Sequence, residues 1–199
     1  MPFLKLGFLA SHGGSNMQAI IDACKKGYIY GEPAVVISNN SNSGAIQRAK
    51  NEAIPYYHIS SIKYPTQDQL DQAIIEKLQL HDVNLVILAG YMKKIGTKLI
   101  QQYKGKILNI HPALLPKFGG KGMYGNYVHQ AVLDAGEKFT GPTVHVIDEE
   151  YDKGTILAQK QIPVLPNDTV ESLAARVLEQ EHIIYPETIR KISIGEIIL

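Results

Sequence analysis

Short apolar runs recur along the chain at 4–10, 34–38, 56–59, 83–89 and 107–110, and helical apolar spacing fills the intervals at 17–23, 44–53 and 66–80. Strands that alternate with helices of this length bury their apolar faces by lying parallel, each helix crossing back over the sheet with a right-handed turn. The first run, Leu4-Lys5-Leu6-Gly7-Phe8-Leu9-Ala10, is apolar at nearly every position, which fits a central strand covered on both faces. Further on, 127–135 has a helix pattern, 143–147 and 155–162 read as strands, and 170–191 reads as a helix near the C-terminus. The expected fold is α/β: a mostly parallel, twisted sheet with helices on both faces. With 199 residues and no repeat or linker, the chain is expected to form one domain over 1–199.

In such sheets ligands bind beyond the carboxyl ends of the strands. The first strand ends in Ser11-His12-Gly13-Gly14-Ser15-Asn16 and passes at once into a helix that Gly27 stops. A strand, a glycine turn and a helix N-terminus aim backbone N–H groups and the helix dipole at one point, so Gly13 to Asn16 read as an anion cradle. The plainer reading is a tight turn with Ser15 or Asn16 as helix cap. The turn lacks the third glycine of a dinucleotide fingerprint, and the second strand ends in Ser38-Asn39-Asn40 where an acidic ribose ligand is expected, which disfavours NAD. Gly119-Gly120-Lys121-Gly122 has no Ser or Thr after its lysine, so the best signature for ATP is missing.

A second polar strand end lies at Ile107-Leu108-Asn109-Ile110-His111-Pro112. Asn109 and His111 stand two residues apart and project to one face, and Pro112 marks where the chain leaves the sheet. They form either a ligand site or a capped strand end with a hydrogen-bonded histidine. Gly90-Tyr91-Met92-Lys93-Lys94-Ile95 reads as the wall of an aromatic ligand's pocket with cations at its mouth, or as packing followed by a solvated basic pair. The stretch 114–127 is a long glycine-rich loop of the kind that is often functional. His129 reads as a helix-surface or core residue, and Arg176, Glu181 and His182 as members of exposed pairs.

Asp148, Glu149, Glu150 and Asp152 lack the spacing of a calcium loop, and no metal is expected. No serine nucleophile elbow, HExxH site or Cys-His dyad is present. An amide, an imidazole and a carboxylate beside an anion site suit acyl transfer to an amine, in which the substrate brings its own nucleophile. The same set also serves a hydrolase or lyase. A formal charge of +1, from 20 basic and 19 acidic residues, gives no field for nucleic acid or an anionic membrane. The single cysteine, Cys24, excludes an intramolecular disulfide, and 1–10 reads as neither leader nor span, so a cytoplasmic location is expected.

The segments Gly13-Gly14-Ser15-Asn16, Asn109-Ile110-His111-Pro112-Ala113-Leu114-Leu115-Pro116, Thr140-Gly141-Pro142-Thr143-Val144-His145-Val146, Tyr151-Asp152-Lys153-Gly154 and Glu181-His182-Ile183-Ile184-Tyr185-Pro186, in this order and spacing, resemble the phosphoribosylglycinamide formyltransferases nearly from end to end. The resemblance implies a Rossmann-like formyltransferase fold. It implies transfer of a formyl group from 10-formyltetrahydrofolate, the co-substrate, to the amine of glycinamide ribonucleotide in purine biosynthesis. Asn109, His111 and Asp152 match the catalytic trio. Gly14, Ser15 and Asn16 match the phosphate site, and Glu181 the acid at the glycinamide end. Tyr91, Met92, Lys93, Lys94 and Ile95, with Val146, Ile147, Asp148, Glu149 and Tyr151, match the walls around the folate's pteridine. Lys93 stands where an arginine is common, replacing a guanidinium fork by a point charge. The implied partners are these two small molecules alone, with no nucleic acid or membrane, and the implied state is a monomer or homodimer. A tRNA-formylating relative needs an extension and a positive surface, a formyl-folate hydrolase usually carries a preceding regulatory domain, and a non-catalytic nucleotide sensor has little need of the trio.

Overall fold

The computed structural model describes residues 3–150 and 152–199. Strand β1 (Leu4–Ala10) is buried except at its lysine. Its alternate residues enter two separate cores: Leu6, Phe8 and Ala10 on one face, Leu9 on the other. The first core lies under helices α1 (Ser15–Lys25), α2 (Gly44–Asn51) and α6 (Val170–Ser193). The second lies under α3 (Gln67–Leu80) and α4 (Thr97–Gln102). β2 (Gly31–Ser38), β4 (Leu85–Leu88) and β5 (Ile107–His111) divide their side chains between the same cores. Burial on both faces is the physical reason for apolar runs without alternation.

With β3 (Tyr56–His58), β7 (Thr143–Val146) and β8 (Ile156–Gln159), these strands form a seven-stranded sheet in the order β3-β2-β1-β4-β5-β7-β8. Pairing is parallel from β3 to β5, whereas β7 pairs antiparallel with β5 on one side and β8 on the other. Chain order reverses at β1, which has β2 on one side and β4 on the other, so the crevice beyond the ends of β1 and β4 is the switch point where this architecture takes ligands. The β5–β7 register sets Asn109 opposite His145. Tyr185, fully buried on α6, places its hydroxyl 3.1 Å from the Leu88 carbonyl and 2.9 Å from that of Leu108, tying the helix to both β4 and β5.

The expected strand at 155–162 is broken. β8 stops at Gln159, and β9 (Ile162–Pro163) pairs instead with β6 (Phe139–Thr140) in a separate two-stranded ribbon. Pro163 has no N–H for a ladder, and the edge of a short ribbon tolerates it where a central strand would not. Helix α4 was not expected from the sequence. Its N-cap, Gly96, offers no side chain, and buried Asp71 of α3 accepts from the N–H groups of Gly96 and Leu99, both at 3.2 Å. Helix α5 (Asn126–Asp134) follows the glycine-rich loop and buries Val128, His129 and Val132. Among the described residues no helix is long and apolar enough to cross a membrane.

Candidate active site at the switch point

The turn after β1 has the geometry its glycines allow. Gly14 adopts φ 71°, and a Cβ there would stand 3.0 Å from the Ala45 backbone, so conformation and space both require glycine. Gly14 is also the N-cap of α1 and supplies no side-chain cap, which leaves the first-turn N–H groups available to an anion. Ser15 and Asn16 are therefore inside the helix, and the reading of either as its cap does not hold. Arg48 of α2 steadies the turn, its Nε donating to the Gly13 carbonyl at 2.9 Å.

Asn16 turns inward. Its Nδ2 donates to Glu181 Oε2 at 2.6 Å, while its Oδ1 is buried without a partner among the described residues. Glu181 is only 8% exposed, not the member of an exposed pair that its helical position suggested. Burial pushes its carboxyl up to about 7, against the opposing hydrogen bond from Asn16. Arg176 forms an ion pair with Asp168 just before the helix, but a part-buried one and not the exposed pair expected. The Nε2 of His182 is buried and unpartnered among the described residues.

The second polar group gathers side chains from three segments. Asn109 Nδ2 lies 3.1 Å from His145 Nε2, and His145 Nδ1 lies 3.1 Å from the Val146 carbonyl. A carbonyl only accepts, so Nδ1 carries the proton and Nε2 accepts from the Asn109 amide. Burial lowers the pKa of His145, with Asp152 opposing, which favours this neutral form. Asp152 reaches both histidines: Oδ1 is 3.5 Å from His145 Nε2, and Oδ2 is 3.7 Å from His111 Nδ1. The Gly120 N–H donates to Asp152 Oδ2 at 2.9 Å, and His111 Nε2 donates to the Phe118 carbonyl at 2.7 Å. The glycine-rich loop is thus fastened by its backbone to an imidazole and a carboxylate of the cluster. His129 lies buried nearby, its Nδ1 unpartnered among the described residues, and burial and then the proximity of His111 lower its pKa.

Two loops flank this cluster. Tyr91 and Ile95 pack on the same core as Ile147, which brings the loops after β4 and β7 together. Burial raises the Tyr91 hydroxyl to about 12 and leaves it without a partner among the described residues, whereas Met92 is exposed. The Ile147 N–H donates to the Ile107 carbonyl at 2.8 Å, and the Glu150 N–H closes on Asp148 Oδ1 at 2.9 Å. Lys93, Lys94 and Glu149 are exposed, and Val146 is partly buried. Tyr151 lies outside the described residues. Among those described, no group of three or more His, Cys, Asp or Glu side chains is placed to hold a metal ion.

A family model described as formyl transferase matches residues 4–189. The chain belongs to the formyl transferase family. It is 41% identical over 193 residues to the phosphoribosylglycinamide formyltransferase of Haemophilus influenzae, covering 97% of this chain and 89% of that protein. A chloroplastic phosphoribosylglycinamide formyltransferase of Vigna unguiculata is 46% identical over 185 residues, which is 93% of this chain but only 59% of that protein's length. The crystal structure of glycinamide ribonucleotide transformylase 1 from Symbiobacterium toebii superposes with a TM-score of 0.93 at 39% identity, covering 99% of this chain and 91% of that one.

In this formyl transferase the sequence reading of the cluster missed His145. The available signal was a histidine between two valines on a strand. Its partner became visible only through the pairing of Asn109 with His145 across β5 and β7. Asp152 carries φ 57°, a left-handed conformation uncommon for a non-glycine residue, and this bend turns a surface-like acidic loop back onto two buried imidazoles.

Proposed function

We propose that this formyl transferase moves the formyl group of 10-formyltetrahydrofolate to the amine of glycinamide ribonucleotide, yielding formylglycinamide ribonucleotide and tetrahydrofolate. The observation that carries the reading is the convergence of Asn109, His111, His145 and Asp152 at the strand ends, beside an anion cradle closed by Glu181. The cradle N–H groups of Gly14, Ser15 and Asn16 hold the nucleotide's phosphate. Glu181 and the unpartnered Oδ1 of Asn16 are acceptors suited to N–H groups of the glycinamide end.

The neutral amine attacks the formyl carbon, a carbon–nitrogen bond forms, and the carbonyl electrons move onto oxygen. One proton of the Asn109 amide is held by His145 Nε2, which leaves the other to donate to that oxyanion. The formyl oxygen takes the place of the Phe118 carbonyl on His111 Nε2, adding a second donor. Asp152, steadied by the Gly120 N–H, faces the far side of His111 and stabilises positive charge there. A proton lost by the amine passes by way of water near Asp152 to the folate nitrogen, and the bond from formyl carbon to that nitrogen breaks. The walls around 91–95 and 146–151 enclose the pteridine, largely through backbone groups. Two small-molecule substrates, a cytoplasmic location and a monomer or homodimer belong to the same reading.

The test is a coupled-substrate assay with purified protein, following deformylated folate by absorbance. Turnover that requires glycinamide ribonucleotide is the expected result. Turnover without any acceptor would make the protein a hydrolase, and turnover only with acceptor tRNA would replace the substrate.

A further inference from the structure

Ser11 follows directly on β1, two residues ahead of the anion cradle, and it is 1% exposed. Neither the acyl-transfer chemistry nor the phosphate site uses its side chain. Its hydroxyl nevertheless has two short partners. It donates to Asn39 Oδ1 at 2.6 Å and accepts from the Met92 N–H at 2.7 Å, while the Ser11 N–H donates to the Gly90 carbonyl at 3.0 Å. Asn39 leaves the hydroxyl only one orientation, with its proton on Asn39 and a lone pair facing Met92.

These bonds fix the two peptide planes that flank Tyr91. In a trans peptide the N–H of one residue points opposite to the carbonyl of the residue before it. With the Gly90 carbonyl turned toward β1, the Tyr91 N–H points away from β1. With the Met92 N–H also turned toward β1, the Tyr91 carbonyl points away as well. The main chain of Tyr91 is thus presented as one donor and one acceptor, side by side. The far end of this segment is held independently by Asp71, through the Gly96 and Leu99 N–H groups. A wall that acts through backbone groups, suspended between two buried anchors, has its geometry set by those anchors.

We infer that Ser11 is a positioning residue for the formyl donor, orienting the 90–92 backbone so that its polar groups meet the polar edge of the folate ring. The inference rests on the formyl-folate reading above. Ser11 touches neither substrate, and its effect on the donor is separable from the cradle because the cradle uses backbone groups of later residues.

Calorimetric titration with a non-transferable formyl-folate analogue and, separately, with glycinamide ribonucleotide tests it, alongside steady-state kinetics. Ser11→Ala leaves the Met92 N–H without its acceptor and is expected to raise the analogue's Kd and the donor KM about tenfold. The nucleotide Kd should stay within about twofold, and kcat at saturating donor should fall by much less than KM rises. Asn39→Leu, which frees the hydroxyl to rotate, should give a smaller rise in donor KM, and Asn39→Asp, which keeps an acceptor oxygen, should restore it. This second pair decides the matter should Ser11→Ala fail to fold. Equal losses for donor and nucleotide, or no rescue by aspartate, would overturn the positioning role. Wild-type protein that binds no formyl-folate would overturn the functional reading and this inference with it.

Discussion

The glycine turn and the Asn109–His111–His145–Asp152 cluster lie at the same end of the sheet but are built in opposite ways. The cradle is a continuous piece of chain, Gly13 to Asn16, whose geometry follows from one left-handed glycine and the start of a helix. Arg48 braces it from α2, and Glu181 comes from farther still, 165 residues on from Asn16. The cluster has no continuous core. β5 gives Asn109 and His111, β7 gives His145, a loop gives Asp152, and the glycine-rich loop supplies the backbone groups that fasten it. A site made of local backbone depends little on the rest of the fold, whereas one made of converging side chains depends on strand register and on every loop that touches it.

That contrast is open to direct attack. The largest expected effect is that of Asn109→Ala: on the proposed mechanism it removes an oxyanion donor worth about 2.7–4 kcal/mol in the barrier, a fall of roughly 10²–10³ in kcat. Nucleotide Kd should change little; equal loss of turnover and binding would mean that the two regions are not separable and that Asn109 is structural. Glu181→Gln probes the most distant member of the cradle. The folded carboxyl keeps its proton up to about 7, whereas the ordinary value is 4.5, so the folded state binds the extra proton between these pH values. Stability of the wild type should therefore fall as pH rises through that window, by up to about 3 kcal/mol, and level off above it. Urea titrations at several pH values should show this slope in the wild type and a flat profile in Glu181→Gln, together with weaker nucleotide binding. A wild type without the slope would place the carboxyl in water.

Gly120→Ala tests the loop's hold on the cluster. The position has φ 100° and open space around a would-be Cβ, so the penalty is conformational, about 1–2 kcal/mol, and not steric. Turnover should drop about tenfold as the Gly120 N–H leaves Asp152, with phosphate binding within twofold. The smallest change is expected from Tyr185→Phe, which removes the hydroxyl shared by the Leu88 and Leu108 carbonyls. A loss of about 1 kcal/mol in urea stability, with both ligand sites working, would identify Tyr185 as a strut between helix and sheet.

Much of the fold was legible because the sheet is mostly parallel. Strands buried on both faces write their identity as unbroken apolar runs, and helices with capping boxes, such as Thr66 with Gln69 ahead of α3, mark their own starts. Misreadings occurred where a partner came from elsewhere. Helix α4 takes its cap from Asp71, and β8 ends where the chain turns to pair with β6. Glu181 looked exposed because its helix pattern says nothing about Asn16, and His145 looked like a strand residue because register is invisible in one strand.

By itself, the sequence determined the α/β architecture, the glycine turn at the switch point and the pairing of Asn109 with His111 on one strand face. Each of these follows from local rules of period, chirality and backbone freedom. Only the tertiary structure decided that His145 holds the Asn109 amide, that Asp152 turns back onto two imidazoles, and that Glu181 is buried with a raised pKa. Those facts depend on which atoms lie within about 3–4 Å across the fold and on how little water remains between them, and neither quantity is a property of any one segment of chain.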